Sequence, residues 1–149
     1  VEVQSVLVVC VGNICRSPTG ERLLRARLPD LRVESAGLAA LVGSAADGRS
    51  AAVAEAQGLS LAGHVARQFT PAMGTGFDLI LVMETAHRAR IARMAPQLLG
   101  RTMLFDHWTG SRGIPDPYGR LAEMYESTFS RLSAAADAWS ARLRKRVDG

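Results

Sequence analysis

The sequence predicts an α/β domain built on a parallel sheet. Three observations carry the prediction. Short apolar runs alternate with amphipathic stretches along the chain. The first run, Val6-Leu7-Val8-Val9, leads through a tight loop directly into a helix start. The composition, 48% hydrophobic and 21% charged, is that of a folded globular chain. A length of 149 residues is read as one domain, 1–149, large enough for a core on both sides of a sheet. Right-handed crossovers put helices on both faces.

The elements follow in order. Ser5–Cys10 reads as a buried strand. Pro18–Arg27 reads as a helix that sets Leu23, Leu24 and Leu28 on one face and leaves Arg22 and Arg25 to solvent. Ser17 is a preferred N-cap type, and Pro18 after it costs nothing because that amide would lack a partner anyway. Gly20, inside this helix, is expected to cost about 0.5–1 kcal/mol relative to alanine. Arg32–Ser35 is the second strand. The alanine-rich stretch Arg49–Gln57 reads as a helix closed by Gly58 at the C′ position. Asp78–Met83 is the third strand, Thr85 to about Met94 an amphipathic helix stopped near Pro96, and Thr102–Phe105 the fourth strand. A long helix spans Leu121–Arg146, apolar at Leu121, Met124, Tyr125, Phe129, Leu132 and Trp139. No repeat, linker or second domain is visible.

Charge and cysteine content narrow the function classes. The net charge is +4, from 18 Lys and Arg against 14 Asp and Glu, and a basic balance steers anionic partners toward a site. No nucleic-acid motif accompanies it, so no nucleic-acid partner is expected. Arg142, Arg144, Lys145 and Arg146 are read as cations complementing a helix C-terminus. No apolar run approaches the ~20 residues that span a bilayer, so no membrane insertion is expected. Val1–Ser5 shows no basic region followed by an apolar stretch. Cys10 and Cys15 are the only cysteines, too few for a disulfide scaffold or a structural zinc site. Reduced thiols fit a cytoplasmic enzyme.

The chemistry concentrates in Cys10-Val11-Gly12-Asn13-Ile14-Cys15-Arg16-Ser17-Pro18. A strand delivers Cys10 to the first position of a tight loop, and a helix begins at its far end. The unpaired amides of the first helical turn point back toward the loop with the positive end of the helix dipole behind them, an arrangement that binds phosphate. A helix N-terminus and a nearby guanidinium also favour a cysteine thiolate. Gly12 lets the backbone approach an anion, and Asn13 tolerates the left-handed region. Arg16 offers a planar fork for two phosphoryl oxygens. Such a loop is equipped to move a phosphoryl group onto sulfur. Asp116, between Pro115 and Pro117, is held extended by the following proline. Its carboxyl suits protonation of a leaving group, while the dipeptide alone equally suits a turn aspartate satisfying its own backbone.

The string Cys10–Pro18 resembles the signature of the low-molecular-weight protein tyrosine phosphatases. The likeness continues in order through Ser35-Ala36-Gly37, His64-Val65-Ala66-Arg67-Gln68, Asp78-Leu79-Ile80-Leu81-Val82-Met83 and Asp116-Pro117-Tyr118. Met103-Leu104-Phe105-Asp106-His107-Trp108 resembles the bacterial branch that works beside tyrosine kinases of exopolysaccharide production. The resemblance implies a four-stranded sheet of order 2-1-3-4 with the phosphatase loop after strand 1. It implies phosphotyrosine hydrolysis through a cysteinyl phosphate, with Cys10 as nucleophile, Arg16 and the loop from Val11 through Gly12, Asn13, Ile14 and Cys15 to Ser17 binding phosphate, and Asp116 as acid. It implies no metal and no cofactor. Its implied partner is a phosphotyrosine protein, a tyrosine autokinase of polysaccharide export; the oligomeric state is not implied.

Further residues take roles on the same basis. Ser17 has two competing roles, donor to Cys10 and helix cap. Asn13 fixes the loop by its amide, His64 braces Asn13, and Glu34 belongs to the same network. His87 and His107 are read as solvent or packing residues. The apolar segment Leu38–Gly43 is read as a flexible pocket wall with Leu41 at the place of a eukaryotic aromatic residue. Tyr118 is either the opposite wall or a packing residue. Gly119 replaces the second eukaryotic tyrosine, which argues against tyrosine-pair regulation. Cys15 is either a packed loop residue or, as the resemblance implies, the partner that captures oxidised Cys10 as a disulfide. Three rivals share the loop. An arsenate reductase needs a further cysteine, and none follows Cys15. A protein-arginine phosphatase tends to carry threonine where Ile14 stands. A phosphate-binding module without catalysis needs neither Cys10 nor Asp116.

Overall fold

Every residue of the first strand is buried, and this strand lies inside the sheet of the computed structural model, which describes residues 2–144. Four strands, β1 (Ser5–Cys10), β2 (Arg32–Gly37), β3 (Leu79–Val82) and β4 (Thr102–Leu104), form one sheet of order β2-β1-β3-β4. All pairings are parallel, with Val6 opposite Val33 on one side and Leu79 on the other. A continuous Val/Leu run is what a strand covered on both faces requires. The start of β1 is tied across to β3 by Asp78, whose Oδ2 accepts the amides of Gln4 at 2.8 Å and Ser5 at 3.2 Å. The bond from the Gln4 amide, foremost, holds the Asp78 carboxyl below the ordinary carboxylate range.

Helices cover both faces, as the alternation predicts. On one face, α1 (Arg16–Arg27) and α5 (Ala122–Leu143) pack Leu23, Leu24, Leu132, Ala136 and Trp139 against Val6, Val8, Leu81 and Phe105. On the other, α4 (Thr85–Met94) and a 3-10 helix (Pro96–Arg101) bring Ile91 and Leu98 against Leu7, Val9, Ile80 and Val82. Two more helices lie between strands: α2 (Gly48–Ala56), capped by Asp47 Oδ2 on the Ser50 amide, and α3 (Pro71–Thr75), capped by Thr70 on the Met73 amide. The sequence reading did not assign α3 or the 3-10 helix, although Thr70-Pro71 is a cap followed by proline at the first helical position. Gly58 follows the C-cap of α2 with φ +82°, the left-handed C′ geometry expected of it. No helix among the described residues is long and apolar enough to cross a membrane.

Two expectations change. Helix α1 begins at Arg16, two residues before Pro18, and Cys15 at its N-cap contributes no side-chain bond. Ser17 therefore sits inside the first turn and caps nothing. Gly20 is also more than a weak helix former: a Cβ there would meet Phe105 at 3.0 Å and Val8 at 3.2 Å, so the glycine permits the close approach of α1 to the sheet. Lys145 and Arg146 of the proposed basic cluster lie outside the described residues.

Candidate active site

Cys10 closes β1, one of the two inner strands, and the loop that follows turns into α1 with Asn13 at φ +58°. Its carbonyls are all engaged. Those of Cys10, Val11 and Gly12 accept from the amides of Leu38, Ala39 and Leu41, and that of Ile14 accepts from Asp47. The Asn13 carbonyl meets His64 Nε2 at 2.6 Å, and the Cys15 carbonyl accepts from Thr19 through both amide and hydroxyl. By contrast, none of the amides from Val11 to Ser17 donates to a protein acceptor among the described residues. Carbonyls turned outward and donors left over make a nest for an anion.

Side chains fix the polarity of this nest. The Arg67 amide can only donate, and it donates to Asn13 Oδ1 at 2.9 Å, which sets the orientation of the Asn13 amide. Asn13 Nδ2 then donates to Ser17 Oγ at 2.7 Å and Ser35 Oγ at 3.0 Å. Ser17 Oγ lies 2.9 Å from Cys10 Sγ, and its hydroxyl is the donor whenever that sulfur is a thiolate. Of the two roles weighed for Ser17, the hydroxyl serves the sulfur. The residue expected at the edge of this network, Glu34, joins it through Arg67, whose Nη2 lies 2.7 Å from Glu34 Oε1 and whose Nε donates to the Ser35 carbonyl. Gly37 is required by the same crowding: a Cβ would lie 2.4 Å from the Val11 carbonyl oxygen. Gly12 differs, since a Cβ there would meet nothing nearer than Ile14 Cγ1 at 3.7 Å, so packing does not demand it.

Arg16 is 2% exposed. Its Nη1 donates to Glu84 Oε2 at 2.6 Å and to the Ile114 carbonyl at 2.7 Å. Its Nε has no hydrogen-bond partner among the described residues, and Nη2 lies 4.0 Å from Asp116 Oδ2. One edge of the guanidinium is thus anchored and the Nε/Nη2 edge remains for an oxyanion. Glu84 escaped the sequence reading, because it lies 68 residues from Arg16 and carries no local pattern. His87 Nε2 stands 3.4 Å from the same Glu84 oxygen. Desolvation, then the Arg16 charge, holds the His87 pKa below its ordinary value, so the ring is neutral at pH 7. His87 is therefore neither a solvent residue nor simple filler: it is buried against the Glu84 and Arg16 pair. His107 does pack, edge to face with Trp108 at 4.5 Å.

Asp116 uses its two oxygens differently. Oδ1 accepts the Tyr118 amide at 3.0 Å, the local turn bond, while Oδ2 is directed to Arg16. The two readings of Asp116 coexist in one carboxylate. A cleft of about 220 Å³ joins Cys10, Arg16 and Asp116 with Leu41 and Tyr118 as walls. The wall segment is not loose. Besides the bonds to the loop carbonyls, Gln68 Oε1 accepts the Ala40 amide, and Gln68 and Arg90 both donate to the Leu38 carbonyl. Cys15 borders both this cleft and a small cavity lined by Ser50, Tyr125 and Leu132. Burial pushes its thiol up to about 12, partly offset by the Ser50 hydroxyl. Both cysteines are free thiols.

Comparison with known proteins agrees with this geometry. A family model described as low molecular weight phosphotyrosine protein phosphatase matches residues 5–148. The chain is 48% identical over 141 residues to the low molecular weight protein-tyrosine-phosphatase Etp of Escherichia coli K12, covering 95% of each. It is 49% identical to the probable low molecular weight protein-tyrosine-phosphatase AmsI of Erwinia amylovora, covering 92% of this chain and 95% of that one. The crystal structure of the tyrosine phosphatase Wzb from Escherichia coli K30 in complex with sulphate superposes with a TM-score of 0.94 at 48% identity, covering 95% of this chain and 99% of that one. The chain belongs to the low molecular weight phosphotyrosine protein phosphatases.

Proposed function

We propose that this member of the low molecular weight phosphotyrosine protein phosphatases works in two displacements with Cys10, Arg16 and Asp116 as its reacting groups. The Cys10 sulfur attacks phosphorus in line with the tyrosyl oxygen. As the S–P bond forms and the P–O bond breaks, the protonated Asp116 carboxyl gives its proton to the departing phenolate. Water then attacks the cysteinyl phosphate, Asp116 takes a proton from it, and the S–P bond breaks to release inorganic phosphate. Through both steps the amides from Val11 to Ser17 and the open edge of Arg16 hold the equatorial oxygens. Ser17 stabilises the sulfur anion as leaving group, while Asn13 and His64 keep the loop in shape. Leu41 and Tyr118 flank the aryl ring.

The observation that carries this reading is the division of labour in the loop: engaged carbonyls, unengaged amides, and Cys10 and Arg16 lining one cleft with Asp116, the Arg16 Nε without a partner among the described residues. The experiment is hydrolysis of a chromogenic aryl phosphate in the presence of EDTA. Cys10→Ser abolishes turnover and retains phosphate binding, and Asp116→Ala slows turnover steeply. Normal turnover by Cys10→Ser would reject the mechanism, and phosphate binding without turnover by the unmodified chain would leave a binding module. The physiological substrate we assign is a cytoplasmic phosphotyrosine protein, a tyrosine autokinase of exopolysaccharide export. Support comes from the resemblance of Met103–Trp108 to that bacterial branch. Dephosphorylation of such a kinase's tyrosine tail tests the assignment.

A further inference from the structure

The loop that carries Asp116 borders two concavities. Asp116 and Tyr118 line the cleft, whereas Gly113 and Pro115 line a second one of about 460 Å³ together with Thr109, Gly110, Arg112 and Arg131. Both charged residues of the second concavity are arginines, and neither is in an ion pair among the described residues. Six other arginines do have carboxylate partners. The helix around Arg131 offers no acid either, with Ser127, Thr128, Ala134 and Ala135 at the neighbouring positions. Arg131 is nonetheless held in place, because its Nη2 donates to the Gly113 carbonyl. The acid beneath this loop, Asp106, is buried and accepts the Gly113 amide with Oδ2.

A phosphotyrosine seated in the cleft obliges its flanking residues to cross the rim. On one side the rim is apolar, with Leu41 and Val42 exposed. On the other it is the Asp116 loop, and a chain leaving past Pro115 arrives over two guanidinium groups without counterions. Guanidinium is weakly hydrated and matches carboxylate or phosphate oxygens in pairs. We propose that Arg112 and Arg131 form an anion subsite that takes an acidic side chain, carboxylate or phosphorylated, flanking the phosphotyrosine of the substrate chain. The proposal rests on the phosphotyrosine reading above.

The test uses phosphotyrosine peptides identical except at flanking positions, which carry alanine, aspartate or a second phosphotyrosine, together with a small aryl phosphate. The native enzyme is expected to prefer each acidic peptide by about threefold to fivefold in kcat/KM per added anion. The gain appears in KM and shrinks as salt is raised. Arg112→Ala and Arg131→Gln lose the preference while turnover of the small aryl phosphate is unchanged. Arg112→Glu turns the preference into discrimination against acidic peptides. Comparison of the aspartate and phosphotyrosine arms tells which anion is taken. Equal use of acidic and alanine peptides by the native enzyme, or a preference that survives both arginine substitutions, overturns the subsite. Failure of the native enzyme on every phosphotyrosine peptide and on the aryl phosphate overturns the underlying reading instead, and the subsite falls with it.

Discussion

Glu84 grips Arg16 at 2.6 Å by Nη1, away from the Nε/Nη2 edge, whose Nε has no partner among the described residues. The free edge is aimed only as well as the held one is fixed. Removing the grip should therefore harm phosphate recognition without touching a reacting atom. Glu84→Ala is expected to lower kcat/KM by about tenfold to a hundredfold, the scale of a misplacement near 1 Å. Glu84→Gln, which can still accept from Nη1, should fall between. Steady-state kinetics on an aryl phosphate decides it: unchanged kinetics in Glu84→Ala would show that the Ile114 carbonyl alone positions Arg16.

His87 gives a pH dependence of stability. Desolvation and the Arg16 charge depress its pKa in the folded state relative to the ordinary value near 6.5 in the unfolded chain. Below that ordinary value the unfolded state binds more protons, so stability falls as pH drops from about 6.5 toward the folded pKa. Above it the contribution is fully present. One proton sets an upper slope of about 1.4 kcal/mol per pH unit. Thermal melts of native protein and His87→Gln between pH 7 and 5 should differ in slope, with the variant flatter. Parallel slopes would place the titration elsewhere.

The two cysteines should differ sharply in reactivity. Cys10 lines the cleft with Ser17 Oγ 2.9 Å from its sulfur, whereas desolvation pushes the Cys15 thiol up to about 12. Only thiolates alkylate at useful rates. Brief iodoacetamide treatment at pH 7 should label Cys10 alone by mass spectrometry, phosphate should protect it, and Cys15 should label only in denaturant. Equal labelling of both in the folded protein would contradict the raised Cys15 thiol.

Gly37 and Gly20 separate backbone crowding from helix propensity. At Gly37 a Cβ would lie 2.4 Å from the Val11 carbonyl oxygen, and main chain cannot swing aside. Gly37→Ala should destabilise by about 1–3 kcal/mol, as overpacking does, and lower activity with it. At Gly20 the contacts are 3.0 Å to Phe105 and 3.2 Å to Val8, both side chains. The gain in helix propensity is there opposed by crowding, so Gly20→Ala should change stability by less than about 1 kcal/mol. Denaturant titrations that rank the two in the opposite order would refute the steric reading.

What the sequence disclosed and what it hid follow from the range of each interaction. The strand, loop and helix around Cys10 are coded by contiguous residues, and the apolar runs place all four strands. The start of α1 was misplaced by two residues because Ser17 is a good cap in isolation, while in the fold its hydroxyl lies between Cys10 and Asn13. Glu84 and His87 were illegible because their meaning depends on β3 lying next to β1, which brings residue 84 to residue 16. No local spacing encodes that.

Asp116 offers the most direct test of how a single carboxylate can hold its loop and act on substrate. Its Oδ1 accepts the Tyr118 amide, and Oδ2, directed to Arg16, faces the cleft. Asparagine keeps a carbonyl oxygen for the turn and replaces the other oxygen with a group that cannot give up a proton to a phenolate. Asp116→Asn should thus preserve the loop, the melting temperature and phosphate binding while lowering kcat/KM by about 10²–10⁴-fold on alkyl-substituted phenyl phosphates. Alanine removes the turn bond as well, so it should cost stability that asparagine does not. The loss must also shrink as the leaving phenol becomes more acidic, because a nitrophenolate departs with little need of a proton. A kcat/KM loss of equal size across phenols of different acidity would mean that Asp116 does not protonate the leaving group, and proton donation would have to come from another group.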